Sequence, residues 1–303
     1  MSQQQSLTRH ESAKTEPRAA AASRLKSILL HVLDDEFHDQ RIDCGLSLAR
    51  ACSAHLSCVH VTPIEAYVAF DKFGGIFVMN DIMRAVDERD EKLRKRIEER
   101  LAREDVSWSY EQVTGNVAAA LVGGAALADL LIIAREPPHH DYVAPTVGFL
   151  GELLHQSRTP LFIPAFPQTS FDPTDAAIIA WDGSFEAANA VRSALGLLSL
   201  ASEVRVVQVR EEKTGDRKRF PATDLLEYLS RHGIHAELRV EDPPAGRPTE
   251  DVVSGMIVAQ AFAAGAAYIV MGGYSHTRVA EYLFGGVTRT LLKECPVPLV
   301  IAH

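Results

Sequence analysis

The chain carries one pattern of elements twice, and this internal repeat limits the possible fold more than any other feature of the sequence. Four pairs of residues with matching sequence context reveal it: Asp34 and Asp182, Val61 and Val209, Gly148 and Gly286, Pro160 and Pro298. The first two pairs are separated by 148 residues and the last two by 138. Two constant separations indicate one structural unit present twice, with a single change of length within it.

Each copy alternates short apolar runs with segments of helical composition. The predicted strands of the first copy are residues 28–33, LSCVHV, SYEQV, 129–134 and 159–165. Those of the second are 176–182, 204–209, HAELRVE, AAYIVMG and VPLVIA. Because parallel strands need a crossover of a dozen or more residues, usually a helix, this alternation predicts two α/β domains with parallel sheets.

Polar segments mark the predicted domain boundaries. Residues 1–24 contain Gln, Ser, Ala and mixed charges without apolar periodicity, so we expect a disordered tail. The first domain is predicted at 25–166 and the second at 175–303. Residues 167–174, within the stretch FPQTSFDPTD, are the predicted linker.

Composition narrows the classes of partner. The chain has 303 residues and a net charge of −9, which gives no electrostatic reason to expect nucleic acid or an anionic membrane as its partner. No apolar run reaches the roughly 18 residues that cross a bilayer, and the polar start shows no secretory signal. The four cysteines form no regular framework and are predicted to be buried thiols. We therefore expect a cytoplasmic protein.

The candidate ligand site lies at two loops of the second copy. In open parallel sheets, ligands bind at the carboxyl ends of strands where the strand order reverses. There the first strand runs into WDGS and the fourth into MGGYS, and GGVT opens a helix nine residues later. The glycines and the free N–H groups of that helix suit a phosphate, to which Thr288 would donate. Asp182 can accept from a ribose hydroxyl or an adenine amino group.

These motifs resemble those of tandem universal stress proteins, whose pattern is G-x-x-G, nine residues, then G-[S/T]-V-[S/T] after the fourth strand. The resemblance runs from Leu25 to His303, including the closing CPVPLVIA. It implies two doubly wound five-stranded parallel sheets, Rossmann-like or flavodoxin-like, each in the order 3-2-1-4-5. It also implies an adenine nucleotide, ATP above all, and two domains packed as an internal pseudo-dimer; a further homodimer stays open.

The resemblance also assigns the nucleotide site of the second domain. Its expected residues are Ala180, Asp182, Val209, Met271, Gly272, Ser275, Gly285, Gly286, Val287 and Thr288. Asp182 matches the nucleotide-binding carboxylate, and Val209 matches the apolar residue that packs on the base. Mg²⁺ is expected beside a triphosphate without dedicated protein ligands. Ser275 replaces the second glycine of the pattern and Gly286 its first hydroxyl residue, so we expect weakened but not abolished binding.

The first copy departs further from the pattern. A separation of 138 residues aligns Gly272, Ser275, Gly285 and Thr288 with, in order, Ala134, Pro137, Val147 and Leu150. Proline removes a donor, valine blocks close approach of the backbone, and leucine has no hydroxyl. We therefore predict that the first domain does not bind nucleotide in this manner and acts as a packing partner of the second.

Three functions stay open at this level. The first is an ATP-binding stress-response regulator or sensor. The second is an interaction module without nucleotide, in which Asp182 caps the next helix and the glycines are turn residues. The third is an enzyme that slowly hydrolyses ATP or adenylylates a small molecule, although no residue stands out as a general base and no known catalytic motif is found.

Some residues outside this site also suggest chemistry. His31 and His60 lie in apolar runs and are predicted to be hydrogen-bonded core histidines. The charged run 87–105 is predicted to be a solvated helix, and FDKFGGIFVMND before it a loop that covers a cavity or a dimer contact. The cluster His139-His140-Asp141 is predicted to be a solvated loop and not a metal site.

Overall fold

The computed structural model describes residues 25–63, 75–135, 146–165, 167, 170–210, 220–244, 249–273 and 286–303. Its strands are β1 Ser27–Val32, β2 His55–Pro63, β3 Trp108–Gly115, β4 Leu130–Ile132, β5 Leu161–Ile163, β6 Ala176–Ala180, β7 Val204–Val209, β8 Ala236–Glu241, β9 Ala266–Gly272 and β10 Leu299–Ala302. Its helices are α1 His38–Cys52, α2 Gly75–Leu101, α3 Val117–Ala125, α4 Thr146–Ser157, α5 Phe185–Leu198, α6 Ala222–Arg231, α7 Glu250–Ala264 and α8 Gly286–Glu294. The predicted alternation of strands and helices is confirmed.

The ten strands form one sheet in the order β3-β2-β1-β4-β5-β10-β9-β6-β7-β8. Within each half the strands are parallel and follow the order 3-2-1-4-5, which confirms the predicted fold class. The halves join through an antiparallel pair in which Phe162 of β5 lies beside Val300 of β10. The carboxyl ends of the strands therefore face opposite ends of the sheet in the two halves.

Helices cover both faces of this sheet. One apolar cluster packs strand residues such as Leu30 and Ile179 against α1, α2, α5 and α6. The other packs Leu29 and Ile178 against α3, α4, α7 and α8. The outermost strands β3 and β8 keep exposed residues, but the inner strands are apolar on both sides, because neighbouring residues point to opposite faces and both faces are covered. That double burial explains why they appear in the sequence as continuous apolar runs.

The strand pairing defines which residues of the two halves correspond. Leu56 lies beside Ile28 in the first half, and Val204 lies beside Ala177 in the second. Leu56 and Val204 are 148 residues apart, as the repeat predicts, but Ile28 and Ala177 are 149 apart. Ile28 and Ala177 also face the same apolar cluster. The first half therefore has one residue more than the second between its first two strands.

The start of the first helix corrects one predicted correspondence. Asp182 lies three residues before α5, and Asp35 lies three residues before α1, so Asp182 corresponds to Asp35 and not to Asp34 as the constant separation of 148 predicted. Asp34 instead pairs with Arg96 of α2, at 2.6 Å between Oδ1 and Nη2. In the first half Asp35 takes the place of Asp182 in the turn before the helix, because its Oδ1 accepts from the Phe37 nitrogen at 3.1 Å just before α1 begins.

Two expectations about the segment before β3 also need correction. The stretch FDKFGGIFVMND was predicted to be a loop, but α2 begins at Gly75 and includes the second half of that stretch. The charged run does form a helix, yet one face of it is buried, with Asp90, Leu93, Ile97 and Leu101 inside the fold. The apolar members of this face pack on the sheet, which anchors α2.

All four cysteines are free and buried, as predicted. Burial raises the pKa of the Cys44 and Cys58 thiols to about 12, so these two remain protonated at neutral pH. None of the described helices combines the length and apolar character needed to cross a lipid bilayer.

Candidate functional site

The sheet brings the predicted loops of the second half together. Ala180 is the last residue of β6 and Gly272 the last of β9, and these two strands are paired. Val209 ends β7, the neighbour of β6 on its other side. Three strand ends that are distant in the sequence therefore meet at one edge of the sheet, namely the one formed by the carboxyl ends of the strands.

Four of the predicted residues share the face covered by α7 and α8. Met271 is buried in the apolar cluster of that face, and Ala180, Val209 and Val287 are partly buried against it. The side chains at the ends of β6 and β7 and at the start of α8 thus provide apolar surface on one side of this edge. Such a surface is suited to the flat face of an aromatic ring.

The first turn of α8 is tied to the end of β9. Thr288 is buried, and its hydroxyl donates to the carbonyl oxygen of Gly272 at 3.4 Å. The helix begins at Gly286, close to where the GGVT motif predicted it. Ser275 and Gly285, the other two residues of the glycine pattern, lie outside the described residues.

Gly272 is in close contact with the backbone of α5. A β-carbon placed on Gly272 would lie 2.6 Å from the nitrogen of Ala187 and 2.7 Å from the carbonyl carbon of Glu186. Real β-carbons do not approach backbone atoms so closely, so only glycine fits without a shift of the helix. This glycine has a packing reason that is independent of any ligand.

Asp182 forms the turn that starts α5. Its Oδ1 accepts from the Ser184 nitrogen at 2.9 Å and from the Ser184 hydroxyl at 2.6 Å. Gly183 supplies the positive φ of 77° that this turn requires, and Ser184 caps α5 by accepting from the Ala187 nitrogen. Asp182 itself is exposed at the rim of the site. Asp182 therefore stabilises the turn while Ser184 caps the helix, and the Asp182 side chain is also open to a ligand.

Sequence reasoning missed one acidic residue of this region. Glu250 is the first residue of α7, and a β-carbon placed on Gly286 would overlap its carboxylate. The carboxylate therefore lies over the first residue of α8. The next residue, Asp251, accepts from the Thr290 hydroxyl at 3.1 Å. An acidic pair in the first turn of a helix is an ordinary N-terminal signal, so nothing in the sequence linked it to the GGVT motif that begins 35 residues after Glu250.

The corresponding edge of the first half is filled with side chains. His31 stands where the second half has Ala180, and it is only 3% exposed. Phe149 and Leu150, the counterparts of Val287 and Thr288, are buried in the same apolar cluster as Leu29.

His31 is not the hydrogen-bonded core histidine that the sequence predicted. Burial, together with the charges of Arg41 and the neighbouring His60, lowers the pKa of its imidazole to about 3. Both ring nitrogens are buried without a hydrogen-bond partner among the described residues. The ring is therefore neutral at any ordinary pH and acts as bulk at this position.

His60 fulfils the prediction for one of its ring nitrogens. Its Nδ1 lies 3.1 Å from the carbonyl oxygen of Val32, which can only accept, so Nδ1 carries a proton. Its Nε2 lies 3.3 Å from Oδ1 of the fully buried Asp90, close enough for an ion pair but without hydrogen-bond geometry. Thr62 donates to the other oxygen of Asp90. This cluster ties α2 to β2.

No group of three or more His, Cys, Asp or Glu side chains suited to a metal ion occurs within the described residues. The His139-His140-Asp141 cluster lies outside them. The described part of the site thus offers apolar surface, a helix N-terminus and acidic groups at its rim.

Comparisons with known proteins agree with this architecture. Residues 175–303 match the model of the universal stress protein family. A universal stress protein from Archaeoglobus fulgidus DSM 4304 has a similar structure, with a TM-score of 0.67 at 14% identity, covering 91% of this chain and 96% of that one. A functionally unknown protein from Pseudomonas aeruginosa PAO1 matches with a TM-score of 0.55 at 15% identity, covering 94% of both chains. At such identities the likeness shows the fold alone. No curated protein matches the sequence.

Proposed function

We propose that the chain, whose residues 175–303 match the model of the universal stress protein family, is an adenine-nucleotide-binding regulator or sensor of the stress response. In this proposal ATP binds in the second domain, at the edge where β6, β7 and β9 end. The single observation that carries it is the partly buried apolar surface of Ala180, Val209 and Val287 beside the first turn of α8. A base and a phosphate chain need these two features side by side.

The described residues divide between the parts of the nucleotide. Val209 and Ala180 pack against the base together with Met271, and the exposed carboxylate of Asp182 accepts from a ribose hydroxyl. The N–H groups at the start of α8 bind phosphate oxygens. Mg²⁺ accompanies the triphosphate, and most of its ligands are then phosphate oxygens and water.

The first domain has a different part in this proposal. His31, Phe149 and Leu150 take up the space that a nucleotide needs there, so this domain serves as a packing partner. The antiparallel pairing of β5 with β10 supports that role, because it joins the two halves through a continuous set of backbone hydrogen bonds.

A nucleotide-free interaction module is the second candidate. It is favoured by the contacts of Asp182 and Gly272, since the turn at Ser184 and the approach to α5 explain both residues without a ligand. An enzyme that slowly hydrolyses ATP or adenylylates a small molecule would need a general base, and the described contacts of this edge do not single one out.

Calorimetric titration with ATP distinguishes these candidates. We expect the wild type to bind ATP and Gly285→Val to lose at least about tenfold in affinity, because a branched side chain there keeps phosphate away from the backbone. Gly255→Ala in α7 is the matched control, since a β-carbon at Gly255 meets nothing within 4 Å.

Each other outcome points to a different function. A wild type without measurable ATP binding would favour the interaction module. Equal ATP affinity in wild type and Gly285→Val would show that the phosphate groups do not bind next to Gly285. Phosphate release at more than a few turnovers per second would favour the enzyme.

A further inference from the structure

We propose that the Glu250 carboxylate competes with phosphate for the N-terminus of α8 and so makes the second domain select its ligands by their negative charge. This inference rests on the nucleotide site proposed above and adds a specificity-determining residue to it. It concerns how strongly the site favours an uncharged nucleoside over the corresponding triphosphate.

The placement of Glu250 carries the inference. Its carboxylate lies over Gly286, the first residue of α8, where a β-carbon would overlap it. The side chain is exposed, and no hydrogen bond or ion pair to another described residue holds it. It therefore rests against the helix start without a partner among the described residues.

The electrostatics of a helix start explain the competition. The first N–H groups of α8 lack partners within the helix, and the helix dipole adds a partial positive charge there. The Glu250 carboxylate lies in this positive field against Gly286 without a hydrogen bond from the described N–H groups of α8, and a phosphate group that binds them enters the same field. Two anions cannot share the position, so a phosphate must either displace Glu250 or bind beside its charge.

The neighbouring carboxylate is different and supplies a matched control. Asp251 carries the same charge one residue along α7, but it accepts from Thr290 and is therefore directed toward the second turn of α8. Neutralising Asp251 changes the net charge of the protein as much as neutralising Glu250 does. Only the Glu250 change removes the anion from Gly286.

The test compares two ligands across three proteins. Dissociation constants for ATP and for adenosine are measured at one fixed, low salt concentration for wild type, Glu250→Gln and Asp251→Asn. We expect Glu250→Gln to bind ATP about tenfold more tightly than wild type, with adenosine unchanged within about twofold. Asp251→Asn should gain clearly less ATP affinity than Glu250→Gln.

Several results would overturn the role of Glu250. One is an ATP affinity that is unchanged in Glu250→Gln, and another is an affinity for adenosine that rises as much as that for ATP. The third is an equal gain of ATP affinity in Asp251→Asn, which would indicate an effect of the overall negative charge and not of the carboxylate at Gly286. All three would leave the nucleotide site itself standing. If no protein binds either ligand, the proposed function fails, and the role of Glu250 fails with it.

Discussion

At the scale of single residues, the difference between the two halves is clearest at the end of their first strands. His31 and Ala180 occupy corresponding positions, but the imidazole is buried while the alanine is only partly covered. Pro137, Val147 and Leu150 predicted from the sequence that the crevice of the first half is filled. His31 was predicted to be a core residue without any link to that crevice. The strand register shows that His31 belongs to the same crevice.

The protonation of His31 makes stability depend on pH. Its pKa in the folded protein is lowered to about 3 from the ordinary value of 6.5, so the unfolded chain takes up a proton first as the pH falls. Stability is then complete above about pH 6.5 and is lost progressively below it. Between pH 7 and pH 5 we expect the free energy of unfolding to fall by about 2 kcal/mol more in the wild type than in His31→Leu. Urea titration of both proteins at the two pH values measures the difference.

The exposed His235 provides the control for this prediction. His235→Gln should keep the pH dependence of the wild type. An unfolding free energy that changes with pH equally in wild type and His31→Leu would show that this imidazole is protonated in the folded protein as readily as in the unfolded chain.

At the scale of elements, the turn Asp182-Gly183-Ser184 was the local feature best predicted from sequence. An Asp-Gly-Ser run before a helical pattern is a capping signal, and the structure contains the cap. The same signal could not say whether Asp182 also meets a ligand, because both roles use the same carboxylate. Only the exposure of Asp182 keeps the second role open.

The cap at Ser184 can be tested apart from the ligand. Ser184→Ala removes the acceptor of the Ala187 nitrogen and should lower the free energy of unfolding by about 1 kcal/mol. Ser184→Thr keeps the hydroxyl and should lower the free energy of unfolding by only about a few tenths of a kcal/mol. Denaturant titration measures both; equal losses in the two variants would mean that the hydroxyl does not cap α5.

At the scale of the whole molecule, the join between the halves is the main feature that the repeat did not predict. Two sheets of order 3-2-1-4-5 could pack in many ways, and here they pair edge to edge through β5 and β10. Pairing of this kind protects both edge strands from other chains. It also places Gly273, after β9, against Leu154 of the first half.

This contact gives a prediction about coupling between the halves. A β-carbon on Gly273 would overlap the Leu154 side chain and lie 2.8 Å from Ile301 Cγ2, so Gly273→Ala should destabilise the protein by about 1–3 kcal/mol. Leu154→Ala alone should also destabilise it, by about 2–5 kcal/mol, because it leaves a cavity.

The double variant decides whether the two effects share one contact. We expect Gly273→Ala with Leu154→Ala to lose clearly less stability than the two separate losses combined, because the smaller side chain makes room for the new methyl group. Thermal or urea unfolding of the four proteins measures the difference. If the double variant loses as much stability as the two single variants together, Leu154 does not limit the space at Gly273.

The sequence by itself determined the local level of this protein. The apolar runs, their helical spacers and the repeated order of both were enough for the strands, the helices and the α/β class, because each depends on residues close together in the chain. The tertiary structure decided the antiparallel join at β5 and β10, the one-residue difference before β2, and the position of Glu250 over Gly286. Each of these depends on how distant segments are paired or packed, which leaves no periodic trace in the sequence.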